Sequence, residues 1–105
     1  MRVLKFGNRD IKIDFSEPAT IELLEAKIHK SLLDLLMVNP RISDIAALLE
    51  CGSCGTIESK EECYELFKVY EGGAYTILKE LVEELSSAGW LGIAGEQLKD
   101  ESGKN

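Results

Sequence analysis

From Val3 to Phe15 apolar side chains tend to alternate with polar ones, and from residue 18 onward they recur every third or fourth position. A period of two belongs to a strand with one buried face, and a period near 3.6 to an amphipathic helix. That switch points to an α+β, mainly α fold, with a short N-terminal sheet followed by helices. Leu4 and Phe6 share one face of a first strand. Ile11, Ile13 and Phe15 alternate with Lys12 and Asp14 in a second. The intervening Gly7-Asn8-Arg9-Asp10 has turn chemistry, because Gly and Asn tolerate positive φ. A lone hairpin is marginal in water, so this one must pack its apolar face on helices or pair an edge with another chain.

About four amphipathic helices are expected to follow. Ser16 is placed to cap the first, with Glu17 and Pro18 in its opening turn. Ile21, Leu24, Ile28, Leu32 and Leu35 form its apolar stripe, and Asn39-Pro40 ends it, since the residue before proline avoids the α region. A second helix opens at Pro40, buries Ile42, Ile45, Ala46 and Leu49, and stops near Gly52. Cys51 to Ile57 reads as a loop. Ser59-Lys60-Glu61-Glu62 matches a capping box and starts a third helix with Cys63, Leu66, Phe67 and Tyr70 inward. Gly72-Gly73 breaks it. A fourth helix presents Ile77, Leu78, Leu81, Val82 and Leu85 and ends at Ala88-Gly89. Residues 95–105 are polar and have almost nothing to bury, so the expected division is one domain over 1–94 and a flexible tail over 95–105.

The net charge of −7 weighs against nucleic acid, whose affinity rests on Lys and Arg displacing counterions, and against anionic membranes. A basic partner, or an apolar patch on one, fits better. No segment approaches the ~18 consecutive apolar residues of a membrane span. The start, Met1-Arg2-Val3-Leu4-Lys5-Phe6, lacks the apolar run of a signal peptide. Three cysteines, an odd count, suit a reducing compartment, so the cytoplasm is the expected location.

Catalytic signatures are absent, and neither an enzymatic activity nor a cofactor is expected. Cys51-Gly52-Ser53-Cys54 is the sharpest local motif. A redox pair is activated at a helix N-terminus, whereas this one follows a helix and adjoins Glu50, and both features raise a thiol pKa. Structural zinc needs four ligands, and Cys51, Cys54, Cys63 and His29 would supply the count without a second closely spaced pair. A small zinc- or thiol-dependent regulatory protein is therefore the alternative reading. Glu61-Glu62 and Glu83-Glu84 suit solvated helix faces, and Gly72-Gly73 lacks the Lys-Ser/Thr of a phosphate loop. Trp90, Leu91 and Ile93 lie between glycines beyond the last helix. They either fold back over the core or form an exposed patch of the kind that marks protein contacts. With Leu78, Leu81, Val82 and Leu85 of the last helix they are the candidate partner-binding residues.

The hairpin over Val3–Phe15, the capped acidic helix Ser59-Lys60-Glu61-Glu62-Cys63-Tyr64-Glu65-Leu66, the Glu71-Gly72-Gly73 break, the helix Leu78 to Leu85 and the close Ser87-Ala88-Gly89-Trp90-Leu91 form one series along the chain. Together they resemble the tail assembly chaperones of long-tailed phages and prophages. The Cys51–Cys54 turn departs from that pattern. The resemblance implies a non-enzymatic role in virion assembly. Such a chaperone keeps the tape measure protein soluble until tail tube protein polymerises around it, and it is absent from the finished virion. The implied partners are the tape measure protein, then tail tube protein or a second copy of the chain, and the implied location is the cytoplasm of the bacterial host.

Overall fold

The structure, a computed structural model, describes residues 2–91. Strands β1 (Arg2–Phe6) and β2 (Arg9–Ile13) pair antiparallel with Leu4 opposite Ile11 and Arg2 opposite Ile13. The turn is shorter than the four residues expected: only Gly7-Asn8 separates the strands, and Gly7 takes φ +64°, as a two-residue hairpin with glycine in the first central position requires. Leu4, Phe6, Ile11, Ile13 and then Phe15 are all buried, so the alternation places one face of the ribbon against the helices.

Five helices follow, because the first expected helix is two. α1 (Pro18–Ile28) ends where His29 turns left-handed at φ 56°, and α2 (Leu32–Met37) starts anew. Ser31 caps α2 by accepting the Asp34 N–H at 3.1 Å, and the Glu25 carboxylate accepts the Leu32 N–H at 2.8 Å. The apolar stripe keeps its phase across the break, with Leu24, Leu32 and Leu35 all buried. Ser16 is not the cap of α1. Glu17 holds that position, and the Ser16 N–H donates to the Asp14 carboxylate at 2.9 Å, closing a local turn instead.

α3 (Ile42–Gly52) is the centre of the molecule and packs against α1, α4 (Lys60–Val69), α5 (Gly73–Ser87) and β2. Its residues 44–49 are buried without interruption, as befits a helix enclosed on most sides, while Ile42 at its start is exposed. The helix runs two residues into the segment read as a loop, so Cys51 and Gly52 are helical. Gly52 is there because nothing larger fits: a Cβ would lie 2.6 Å from the Phe15 ring. The Asp14 N–H donates to the Gly52 carbonyl at 2.9 Å, fastening β2 to the end of α3.

Ser59 caps α4 through the Glu62 N–H, but the Glu62 carboxylate turns to the Glu58 N–H rather than completing a reciprocal box. Tyr70 closes α4 half-buried, its ring 5.0 Å from that of Phe6. Gly72 at φ 93° then lets α5 reverse against α4. Arg2 pairs with Glu80 and, at 2.9 Å, with Glu83, which ties the hairpin to α5. Among the described residues no helix is long and apolar enough to cross a membrane.

Candidate functional site

α5 presents two apolar faces with different fates. Ile77, Leu81 and Leu85 are fully buried and hold the helix to the core. Leu78 and Val82, one step around, are only half-covered. Opposite them stands α2, whose Leu32 and Leu35 enter the core while Leu33, Leu36 and Met37 turn outward at spacings of three and four. Between the two helices lies a groove of about 550 Å³. Ile21, Leu32, Leu36, Leu78 and Leu91 make its more covered part; Leu33, Met37 and Trp90 make an exposed rim, with Val82 and Pro40 completing the lining. Leu33 is 60% exposed and Met37 67%, values that leave these large side chains largely in water. Glu25 and Ser31 are the polar groups of the lining.

Trp90 combines the two roles that sequence left as alternatives. Its indole N–H donates to the Phe15 carbonyl, which anchors the ring over the hairpin's exit, and 38% of the residue remains exposed at the groove. An aromatic ring held at its polar end and open on its face is suited to contact with another apolar surface. Of the seven residues singled out from sequence, Leu78, Val82, Trp90 and Leu91 meet in this groove. Leu81 and Leu85 do not reach it, because the core takes them entirely. Ile93 lies outside the described residues. Leu33, Leu36, Met37 and Pro40 are the part that sequence reading missed. Their signal is the second stripe on residues 33–37, set beside the core stripe of Leu32 and Leu35.

No family model, curated protein or solved structure matches this chain.

Cys51 and Cys54 line one small cavity beside α1, and Cys63 is buried against α3. Cys63 is fully buried and its thiol points at the Ala46 carbonyl at 3.4 Å. Burial pushes its pKa up to about 12, with the nearby Glu50 carboxylate adding to the effect. Cys51 is buried in the last turn of α3, and burial pushes it up to about 11 against the partial relief of Lys27. The thiolate is the form that attacks electrophiles and binds metals, so both residues are held in their unreactive state at neutral pH. Cys54 is exposed at φ 54°, its thiol 3.4 Å from the Asp14 carbonyl. His29 opens onto a different cavity, one without a cysteine in its lining. Among the described residues no three His, Cys, Asp or Glu side chains converge as metal ligands.

That other cavity, about 570 Å³, lies where the end of α1 meets the starts of α3 and α4. Lys27, His29, Lys30, Arg41 and Lys60 line it together with Ser43, Asp44 and Glu50. Lys30 pairs with Asp44 at 3.1 Å and Lys27 with Glu50 at 3.6 Å. Burial opposes the charge on Asp44. The Arg41 N–H, at 3.0 Å, and the Lys30 ammonium outweigh it and hold the carboxyl below its ordinary value.

Proposed function

We propose that this protein is a non-enzymatic tail assembly chaperone that seats an amphipathic helical segment of the tape measure protein in the groove between α2 and α5. The observation that carries the reading is that groove: apolar, open, and rimmed by Leu33, Met37 and Trp90. An amphipathic helix laid into an apolar groove is an established mode of polypeptide recognition, with side chains at i, i+3, i+4 and i+7 as anchors. Methionine and tryptophan suit such a surface, the first because it adapts to different knobs and the second because it buries much area at little entropic cost. A long helical protein that has not yet been enclosed by its tube exposes such stripes, and covering them keeps it soluble. On this reading the chaperone acts in the cytoplasm of the bacterial host and leaves before the virion is complete.

The test is co-expression with a tape measure protein, comparing the wild type with Met37→Asp/Val82→Asp. Both side chains are at least partly exposed, so the variant is expected to keep its helicity and melting temperature. It should lose capture of the partner and leave it insoluble, because a carboxylate in an apolar interface without a counter-charge is strongly disfavoured. Undiminished capture by a folded double variant would remove the groove from the account.

A further inference from the structure

The groove and the cationic cavity share a wall. Ser31 and Pro40 line the groove, and their chain neighbours Lys30 and Arg41 line the cavity. Consecutive Cα atoms lie about 3.8 Å apart, so the two linings meet at two separate points of the chain. Their chemistries differ sharply. One is apolar. The other gathers Lys27, Lys30, Arg41 and Lys60 against only Asp44 and Glu50, an excess of positive charge on a chain whose net charge is −7.

Resting on the groove reading above, we infer that the two openings form one continuous docking surface for an amphipathic helix bearing acidic residues at one end. Its apolar stripe lies between α2 and α5, and its carboxylates enter the cavity beside Arg41 and Lys60. Charge complementarity selects this occupant. The Asp44 and Glu50 carboxylates already hold Lys30 and Lys27 in close ion pairs, whereas Lys60 makes none among the described residues and the Arg41 guanidinium acts on Asp44 only through its charge, without a salt bridge. Arg41 also occupies the N-cap of α3, where the Asp44 carboxylate already accepts its backbone N–H at 3.0 Å. A carboxylate arriving there meets the Arg41 and Lys60 cations together. The whole-chain charge favours a basic partner, but fields decay within about 10 Å at ordinary ionic strength. The local excess therefore governs what docks at this end.

The experiment uses three fluorescent helical peptides with one common apolar stripe. One carries three glutamates at its N-terminal end, one carries them at its C-terminal end, and one has glutamines at all those positions. The surface predicts that one acidic peptide binds the full chain about three- to tenfold tighter than the glutamine peptide in 0.05 M salt. The advantage should shrink in 0.5 M salt. Arg41→Glu/Lys60→Glu should abolish that advantage while leaving affinity for the glutamine peptide unchanged. Met37→Asp/Val82→Asp should weaken all three. If the glutamine peptide binds and neither acidic peptide gains over it, the shared surface is overturned and the groove stands. If no peptide binds the wild type, both fall.

Discussion

The Cys51–Cys54 turn and the α2–α5 groove are made of opposite residue types and sit in opposite surroundings. The turn carries the most reactive residue types in the chain, and the fold uses it as a fastening. Cys51 completes α3, Gly52 gives up its side chain to the Phe15 ring, and the Gly52 carbonyl anchors β2. The groove carries only Ile, Leu, Val, Met, Pro and Trp besides Glu25 and Ser31, the composition of an ordinary core, and the fold leaves it open. Reactivity is a property of environment rather than residue type. Burial holds the Cys51 and Cys63 thiols near 11 and 12, while exposure turns Leu33 and Met37 from filler into a contact surface.

The contrast sharpens most on α5 and α2. Leu85→Ala empties a fully buried site and is expected to cost about 2–5 kcal/mol in urea denaturation. Leu33→Ala, at a residue 60% exposed, should stay within about 0.5 kcal/mol while weakening peptide binding. Equal stability losses would mean that the groove is closed by packing in solution.

A smaller effect separates the cationic cavity from both regions. The Asp44 carboxyl titrates below its unfolded value. The stability it contributes is therefore complete above about pH 4 and drains away as the pH falls through the lower folded pKa. Asp44→Asn should cost about 1 kcal/mol at pH 6, and progressively less as the pH falls below the unfolded value and through the folded pKa. A cost independent of pH would show that packing, not charge, is what the residue supplies.

Smallest of all is the turn itself. Cys54→Ser should move stability by less than about 0.5 kcal/mol, since the thiol is exposed. In the native protein a thiol reagent should label Cys54 alone, with Cys51 and Cys63 reacting only after unfolding. Rapid native labelling of Cys63 would contradict the burial on which the comparison depends.

Much of the fold was legible because its periods are clean. Ile11, Ile13 and Phe15 announce a strand face, and Ile77, Leu81 and Leu85 a helix face, and each is buried as patterned. The break between α1 and α2 was hidden because the stripe from Leu24 to Leu35 keeps its phase through it, and His29 turns left-handed where neither Gly nor Pro marks the spot. The Ser16 cap failed because α1 starts at Pro18, which puts Glu17 at the N-cap, and the Asp14 carboxylate engages both the backbone and the hydroxyl of Ser16. Half of the groove was visible as apolar character near Leu78, Val82, Trp90 and Leu91. The other half was not, since periodicity tells which side of a helix is apolar and cannot tell whether the neighbouring helix stands close enough to cover it. Leu81 and Val82 are adjacent and both apolar; the turn of about 100° between them puts Leu81 on the core face and Val82 on the face beside α2.

The central claim is that the space between α2 and α5 receives a polypeptide helix. Methyl-detected NMR during titration with an amphipathic helical peptide tests it most directly. Perturbations concentrated on the methyls of Leu33, Leu36, Met37, Leu78 and Val82, with the core methyls of Leu81 and Leu85 moving less, are the predicted result. Saturable binding that leaves those five unmoved and shifts Val3 or Leu23 instead would contradict it.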